Sequence, residues 1–97
     1  MLIVTDGRLI EYTRRHPEAA SSLFRWAGIA RVADWRNLLQ VRLVFPQADQ
    51  VGGCTVFNIM GNNYRLIARI DYGLQTITLK QFLTHQEYDR DKWKKDC

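Results

Sequence analysis

The stretch from Tyr64 to Tyr72 alternates between core-type and mostly polar side chains. Because successive side chains of a β-strand point to opposite faces, this alternation predicts a strand with one buried face. The predicted buried face comprises Tyr64, Leu66, Ala68, Ile70 and Tyr72, and the other comprises Arg65, Ile67, Arg69 and Asp71. A strand of this kind needs partner strands and a second layer that covers its apolar face.

The segments on either side of this strand supply its partners. Residues 55–60 are rich in strand-forming side chains, and Gly61-Asn62-Asn63 is typical of a turn. Residues 75–83 follow Gly73 and predict a third strand. We expect Ile77 and Leu79 on one side of it, and Thr76, Thr78, Lys80 and Phe82 on the other. Three strands joined by short turns predict an antiparallel meander.

The first half of the chain has mainly helical periodicity. We expect a short strand at residues 1–4 and then three helices, one from Thr5 or Asp6 to about His16, one beginning at Pro17, and one ending before Pro46. Two or three such helices cannot bury their apolar stripes on one another alone, so they need the sheet.

The last element is expected to be a helix. Residues 84–87 (THQE) have the spacing of a capping box, which predicts a helix from His85 toward Lys94. Because helices precede strands, the order of elements indicates an α+β fold. We therefore predict N-terminal helices packed on a small antiparallel sheet, with a C-terminal helix, in one domain spanning residues 1–97.

Composition narrows the class of protein further. Apolar residues make up 46% of the 97 positions and charged residues 25%, as in an ordinary globular domain rather than a disordered chain. No apolar run approaches the roughly 18 residues of a membrane span, and no secretory signal is visible, so we expect a cytoplasmic protein with no membrane partner. The net charge of +4 suits a polyanionic partner. Cys54 and Cys97 are expected to be free thiols.

The predicted start of the C-terminal helix brings together side chains that can do chemistry. His85, Tyr88 and Asp89 share one helix face because they are three and four residues apart. Lys80 lies on the strand that leads to this helix, and Arg65 and Arg69 lie on one face of the neighbouring strand. If the pleats match, these cations share a sheet face that has His85 and Tyr88 at its edge. The sequence therefore predicts a cationic pocket that contains a titratable group.

This set of residues fits the cleavage of RNA without a metal. No Cys/His pair has metal-ligand spacing, and neither a Gly-rich phosphate loop nor a nucleophile elbow is present, so no metal or other cofactor is expected. A metal-independent ribonuclease needs one group to accept the proton of the 2′-hydroxyl, a donor for the leaving oxygen, and cations that hold the phosphate. Histidine suits the proton transfer, and arginine suits the phosphate.

Several segments resemble the HigB family of toxins from bacterial type II toxin–antitoxin systems, a branch of the RelE-like superfamily. The main segments are residues 56–66 (VFNIMGNNYRL) and 84–89 (THQEYD). Residues 16–19 (HPEA), 33–35 (ADW) and 45–49 (FPQAD) match the family as well. The resemblance implies a RelE-like fold and an endoribonuclease that cleaves mRNA, typically in the ribosomal A site.

The resemblance also implies partners and residue roles. A HigA-like antitoxin with a helix-turn-helix domain is expected to inhibit the toxin and to connect the complex to operator DNA. Matching the family motifs assigns catalytic roles to Arg65, Lys80, His85 and Tyr88 and a supporting role to Asp89. The RNA-binding residues are expected to be Asn58, Arg69, Lys92 and Lys94.

Two departures from the family pattern leave the general base open. Many relatives carry basic residues at the positions of Met60 and Asn63, and lysines on this strand can act as the base in RelE-like relatives. Without them, either His85 is the base or catalysis is weaker. A non-catalytic module that binds RNA or an antitoxin is therefore the main alternative. A DNA-binding regulator is disfavoured because no helix-turn-helix recognition pair is evident.

Overall fold

The computed structural model describes all 97 residues as one five-stranded sheet flanked by helices. The strands are β1 (Leu2–Ile3), β2 (Asp49–Val51), β3 (Cys54–Ile59), β4 (Tyr64–Asp71) and β5 (Thr76–Thr84). The α-helices are α1 (Asp6–Arg15), α2 (Ala20–Val32), α3 (Leu38–Val44) and α4 (His85–Asp89), and 3₁₀-helices cover Pro17–Ala19 and Lys92–Asp96. The predicted α+β class, with N-terminal helices on a sheet, is confirmed.

The sheet is larger than the predicted meander. Its strand order is β1-β5-β4-β3-β2, and the β2–β3, β3–β4 and β4–β5 pairs are antiparallel. The predicted strand at the start of the chain is confirmed and pairs in parallel with β5, at Leu2–Thr76 and Ile3–Ile77. The sheet is therefore mixed. Beyond Ile77, β5 has no neighbouring strand on its outer side.

A core of 20 buried residues lies between the sheet and α1, α2 and α3. Trp26 on α2 packs edge-to-face against Phe57 on β3, with ring centroids 5.3 Å apart. Both side chains are almost completely buried, and each large aromatic excludes water from a considerable apolar area. Phe24 of α2, by contrast, is 52% exposed.

The predicted alternation is confirmed in β4 and wrong in the second half of β5. Leu66 and Ala68 of β4 lie in the helix-side core, as predicted. Ile67 of β4 pairs with Gln81 of β5, and the next β4 residue, Ala68, pairs with Leu79, so Lys80 is an extra, unpaired residue of β5. Such a bulge shifts the alternation of the strand. Phe82 consequently joins the helix-side core rather than the opposite face.

The chain after β5 covers the second face of the sheet. Trp93 is buried there in a small cluster with Cys54, Val56 and Ile67. The expectation of free thiols is wrong, because Cys54 on β3 forms a disulfide with Cys97. The two cysteines are 43 residues apart in the sequence, and the fold brings the chain end back across the sheet.

The C-terminal helix is shorter than predicted. The capping box is present, since the Thr84 hydroxyl accepts from the Glu87 backbone N–H and the Glu87 carboxylate accepts from the Thr84 N–H. However, α4 ends at Asp89, and Asp91 adopts a left-handed conformation that turns the chain back toward the sheet. None of the helices has the length and apolar character that a membrane crossing requires.

Candidate active site

The candidate site lies at the end of the sheet where β4 begins and β5 passes into α4. Tyr64 pairs with Thr84, and Arg65 pairs with Leu83. The backbone N–H of His85 donates to the Asn63 carbonyl at 3.1 Å, which joins the start of α4 to the turn before β4. This register brings Arg65, His85 and Tyr88 to the same corner of the molecule. We call Arg65, His85, Tyr88 and Asp89 the corner site.

Arg65 is a buried cation without a carboxylate partner. The residue is only 9% exposed, and no acidic side chain lies within ion-pair distance of it. Its Nη1 donates to the carbonyls of Asn62 and Tyr64 at 3.1 and 3.2 Å, and its Nη2 donates to the Asn62 side-chain oxygen at 2.5 Å. These contacts fix the guanidinium while leaving its charge unneutralised, so an anion that reaches it gains a strong interaction.

Tyr88 forms a layered arrangement with its neighbours. The Cζ of Arg65 lies over the Tyr88 ring, 5.2 Å from its centroid. The same ring stacks on Trp93, with centroids 4.9 Å apart and planes within 16° of parallel. In addition, the Trp93 indole N–H donates to the Tyr88 carbonyl at 2.9 Å. The buried tryptophan therefore positions Tyr88, and Tyr88 contacts the arginine.

His85 and Asp89 face each other across one turn of α4. The Nδ1 of His85 is 2.9 Å from the Asp89 carboxylate, and both side chains remain well exposed, at 44% and 60%. A proton on Nδ1 donates to this carboxylate, which leaves Nε2 as the nitrogen available to a substrate. The arrangement can orient an imidazole for proton transfer at the protein surface.

Sequence reasoning missed a second group at the same end of the sheet, on its helix side. The Tyr64 hydroxyl donates to Glu18, and His16 Nδ1 lies 3.5 Å from the same carboxylate. The hydrogen bond from Tyr64 is the main reason that the pKa of Glu18 is lowered, and it raises the pKa of Tyr64. The segment His16-Pro17-Glu18 indicates a helix start and matches the family, but neither feature indicates a contact with a strand residue 46 positions away.

The other predicted site residues lie outside the corner site. Lys80, at the bulge, lines a separate cavity with Arg8 and Arg15 of α1. Asn58 pairs with Arg65 across β3 and β4 and lines a cleft of about 450 Å³ beside α3.

The remaining predicted cations lie around the C-terminal segment. The guanidinium of Arg69 lies close to Gly53, beside the chain end. Lys92 lines a small cavity beneath α4, and Lys94 pairs with Asp91 at 3.1 Å. These positions surround the second face of the sheet. No three His, Cys, Asp or Glu side chains group closely enough to hold a metal ion.

Several known proteins are similar in sequence to this chain. Residues 19–91 match the family described as HigB toxin, the RelE-like toxic component of a toxin–antitoxin system. The chain is 27% identical over 93 residues to the mRNA interferase HigB of Escherichia coli O6:H1, covering 93% of this chain and 90% of the relative. It is 24% identical over 92 residues to the mRNA interferase toxin HigB of E. coli K12, covering 92% and 88% respectively.

The family match spans most of the chain, including α2, α3, strands β2 to β5 and the corner site. The protein therefore belongs to the HigB family of RelE-like toxins, the toxic components of toxin–antitoxin systems. The predicted family resemblance is confirmed.

Proposed function

We propose that this protein is an endoribonuclease toxin that cleaves mRNA in the cytoplasm, on the translating ribosome, with the RNA 2′-hydroxyl as the nucleophile and without a metal. The observation that carries the proposal is the buried, unneutralised Arg65 beside Tyr88, at the corner that also holds His85. Membership of the HigB family and the names of the relatives support the reaction class. Dependence on the ribosome rests on the family resemblance.

In the proposed reaction, the 2′-oxygen attacks the adjacent phosphorus. A new O2′–P bond forms, the P–O5′ bond breaks, and the products are a 2′,3′-cyclic phosphate and a 5′-hydroxyl end. The proton of the 2′-hydroxyl passes to a base, and a proton is delivered to the departing 5′-oxygen. No external reactant is consumed in this step.

Each residue of the corner site has a role in this step. Arg65 holds the non-bridging phosphate oxygens, where negative charge increases in the transition state. His85 transfers a proton through Nε2, while Asp89 orients the ring through Nδ1. Tyr88 supports the phosphate, in a position that Trp93 maintains. Around them, Asn58, Arg69, Lys92 and Lys94 contact the flanking RNA.

The expected protein partner is a HigA-like helix-turn-helix antitoxin. Toxin–antitoxin pairing follows from the family. We propose that the antitoxin inhibits this chain by forming a complex with it, and that operator DNA is contacted only through the antitoxin.

The test compares RNA cleavage by single variants in a translation reaction. Replacing one group that stabilises transition-state charge typically costs about 100- to 1,000-fold in rate, so Arg65→Ala should lose most cleavage. His85→Ala and Tyr88→Phe should also cleave more slowly. Arg36→Ala is the control, because Arg36 is exposed and pairs only with nearby Asp34. Wild-type cleavage and growth arrest by all three corner variants would refute the assignment of the site.

A non-catalytic module that binds RNA or the antitoxin is the second candidate. The observation in its favour is that Met60 and Asn63 occupy positions where many relatives carry basic residues. Mapping of RNA ends separates the two functions. Retained RNA binding without new 5′-hydroxyl ends supports the binding module, whereas the appearance of such ends excludes it.

A further inference from the structure

A cationic cavity lies beside the open edge of β5, outside the corner site. Its volume is about 310 Å³, and it lies between α1 and the strand. Three cations line it, namely Arg8 and Arg15 from α1 and Lys80 from the bulge. Two carboxylates are nearby, since Glu11 lines the cavity and Asp96 shares an adjoining cavity with Arg8 and Lys80.

The two arginines are fixed by the strand edge. Beyond Ile77, β5 has no neighbouring strand, and such an edge exposes unpaired carbonyls. Arg8 Nη1 donates to the Leu79 carbonyl at 2.6 Å, and Arg15 Nη2 donates to the Phe82 carbonyl at 3.2 Å. Both guanidinium groups therefore lie along the strand in fixed positions, with further N–H donors that these contacts do not use.

The positive charge of the cavity is not neutralised within the protein. None of the three cations lies within ion-pair distance of a carboxylate, and Asp96 accepts a hydrogen bond from Gln81 instead. The Lys80 ammonium has no hydrogen-bond partner in the protein. Three cations against one lining carboxylate make the cavity a site for an anion.

A buried tyrosine also lines the cavity, and Arg15 lies over its ring, 5.6 Å from the centroid. The Tyr12 side chain is only 4% exposed, and its hydroxyl has no hydrogen-bond partner. Burial raises the pKa of this phenol. The three cations that line the cavity match the oxygens of a phosphate group.

We propose that this cavity binds a backbone phosphate of single-stranded RNA, through Arg8, Arg15 and Lys80, on one side of the bond that is cleaved. The identity of the ligand rests on the proposed function. Five residues separate Lys80 from His85, which is about 16 Å of extended strand. The RNA phosphate in the cavity is therefore not the reacting one but lies further along the same strand. The open edge of β5 guides the RNA toward the corner site.

The experiment measures binding rather than cleavage. The probe is a single-stranded RNA oligonucleotide in which every 2′-hydroxyl is methylated, so that it cannot be cleaved. Its affinity is measured by fluorescence anisotropy at several salt concentrations. Lys80→Gln is the principal variant because the Lys80 ammonium contacts no other group, and Lys95→Gln is its matched control on the exposed chain end. Arg15→Gln is compared with Arg14→Gln, which changes a neighbouring helix residue outside the cavity.

We expect Lys80→Gln to weaken binding roughly tenfold at low salt, and Lys80→Arg to restore it. The slope of log affinity against log salt should become shallower by about 0.7, the value for one lost phosphate contact on a single strand. The same comparison with vacant ribosomes distinguishes the two sources of phosphate. An effect with the oligonucleotide identifies the substrate strand, and an effect with ribosomes alone identifies ribosomal RNA.

The proposal is overturned if Lys80→Gln and Arg15→Gln bind the oligonucleotide with the affinity and salt slope of their matched controls, whether or not they bind ribosomes less tightly. Thermal unfolding of each variant shows that a loss of binding does not reflect a loss of fold. His85→Ala separates this inference from the proposed function, because it should bind the oligonucleotide normally and cleave RNA poorly. If His85→Ala cleaves like the wild type, the corner site is wrong, while the result for the cavity still stands.

Discussion

The two faces of the sheet are covered in different ways. On the helix side, 20 buried residues form one continuous core. On the other side, a cluster of only four buried residues lies beneath the C-terminal segment, which is held by Trp93 and by the disulfide of Cys97. The first face maintains the fold, and the second positions Tyr88 against Arg65. The candidate site therefore depends on the less extensively packed side of the molecule.

The largest expected difference between the faces comes from truncating one aromatic residue on each. Phe57→Ala on the helix side should lower the free energy of unfolding by about 3–5 kcal/mol, because it leaves a cavity in a closely packed core. Trp93→Ala should lower it by less, since the segment between β5 and the disulfide can loosen while the rest of the sheet stays folded. Chemical denaturation measures both values.

Two further measurements test whether the two faces of the sheet unfold separately. Hydrogen exchange in Trp93→Ala should become faster mainly after residue 84, and RNA cleavage should fall because Tyr88 loses its stacking partner. Phe24→Ala is the control for loss of an aromatic side chain, since Phe24 is 52% exposed and should change stability by less than about 0.5 kcal/mol. Equal global destabilisation by Phe57→Ala and Trp93→Ala would show that the two faces form one cooperative unit.

Loss of the disulfide should have the next largest effect on stability. A cross-link over 43 residues stabilises a folded chain by about 4 kcal/mol in the loop-entropy description, and measured values are commonly about 2–4 kcal/mol. We expect Cys97→Ser to lower the unfolding free energy by an amount in this range. Treatment of the wild type with dithiothreitol should have the same effect, and it should leave Cys97→Ser unchanged. If dithiothreitol also destabilises Cys97→Ser, the reductant acts on something other than this disulfide.

The close approach of the chain end to Gly52 gives a second test of how the disulfide holds the C-terminal segment against the sheet. Gly52 has a φ of +56°, and a Cβ built there lies 2.7 Å from the Cys97 carbonyl oxygen. Gly52→Ala should therefore destabilise the wild type through both strain and contact with the chain end. In Cys97→Ser the contact can relax, so the added cost of Gly52→Ala should be smaller. Equal costs in the two backgrounds would mean that the contact does not depend on the disulfide.

Features that depend on residues close together in the sequence were predictable from the sequence alone. Alternation predicted the faces of β4, and the THQE motif predicted the start of α4, because both depend on residues close in sequence. The bulge at Lys80 was not predictable in this way, since it is defined by pairing with a different strand, and it changed the face of Phe82. The disulfide was missed for the same reason. Sequence spacing does not show that the chain end returns to Cys54 on β3.

In the candidate site, too, contacts between residues close in sequence were predictable and contacts between separate elements were not. Spacing on α4 predicted the proximity of His85 and Asp89, and the structure places them 2.9 Å apart. The expected grouping of Lys80 with Arg65 assumed matching pleats, and the bulge removes that condition. The sequence indicates for Trp93 only a place in the C-terminal helix, although its stacking positions Tyr88. Contacts within one helix were predictable, whereas contacts between separate elements required the fold.

The N-terminal cap of α4 should have a smaller effect than the disulfide. Thr84 supplies a side-chain acceptor for the Glu87 N–H, and loss of such a cap typically costs about 1 kcal/mol. We expect Thr84→Ala to lower the free energy of unfolding by about this amount. Thr84→Ser should keep most of the stability of the wild type, because serine also supplies a hydroxyl acceptor. Thr13→Ala is the control, because Thr13 donates only to the Ile10 carbonyl within α1. A Thr84→Ser variant as unstable as Thr84→Ala would show that the hydroxyl is not what stabilises α4.

The smallest expected effect is a change in acid stability that depends on Glu87. The hydrogen bond from the Thr84 backbone N–H is the main reason that the pKa of Glu87 is lowered in the folded protein. A hydrogen bond with the Thr84 side chain and the charges of His16 and Arg15 lower it further by smaller amounts. Because the folded pKa lies below the unfolded one, the ionised carboxylate stabilises the fold above the unfolded pKa, and this contribution is lost as the pH falls through the folded value. Unfolding free energies measured between neutral and acidic pH should decline less steeply for Glu87→Gln than for the wild type. Asp71→Asn alters an exposed carboxylate at the far end of β4. Its unfolding free energy should decline with falling pH like that of the wild type. If Glu87→Gln and Asp71→Asn follow the same curve, the charge of Glu87 contributes nothing to holding α4 beside the corner site.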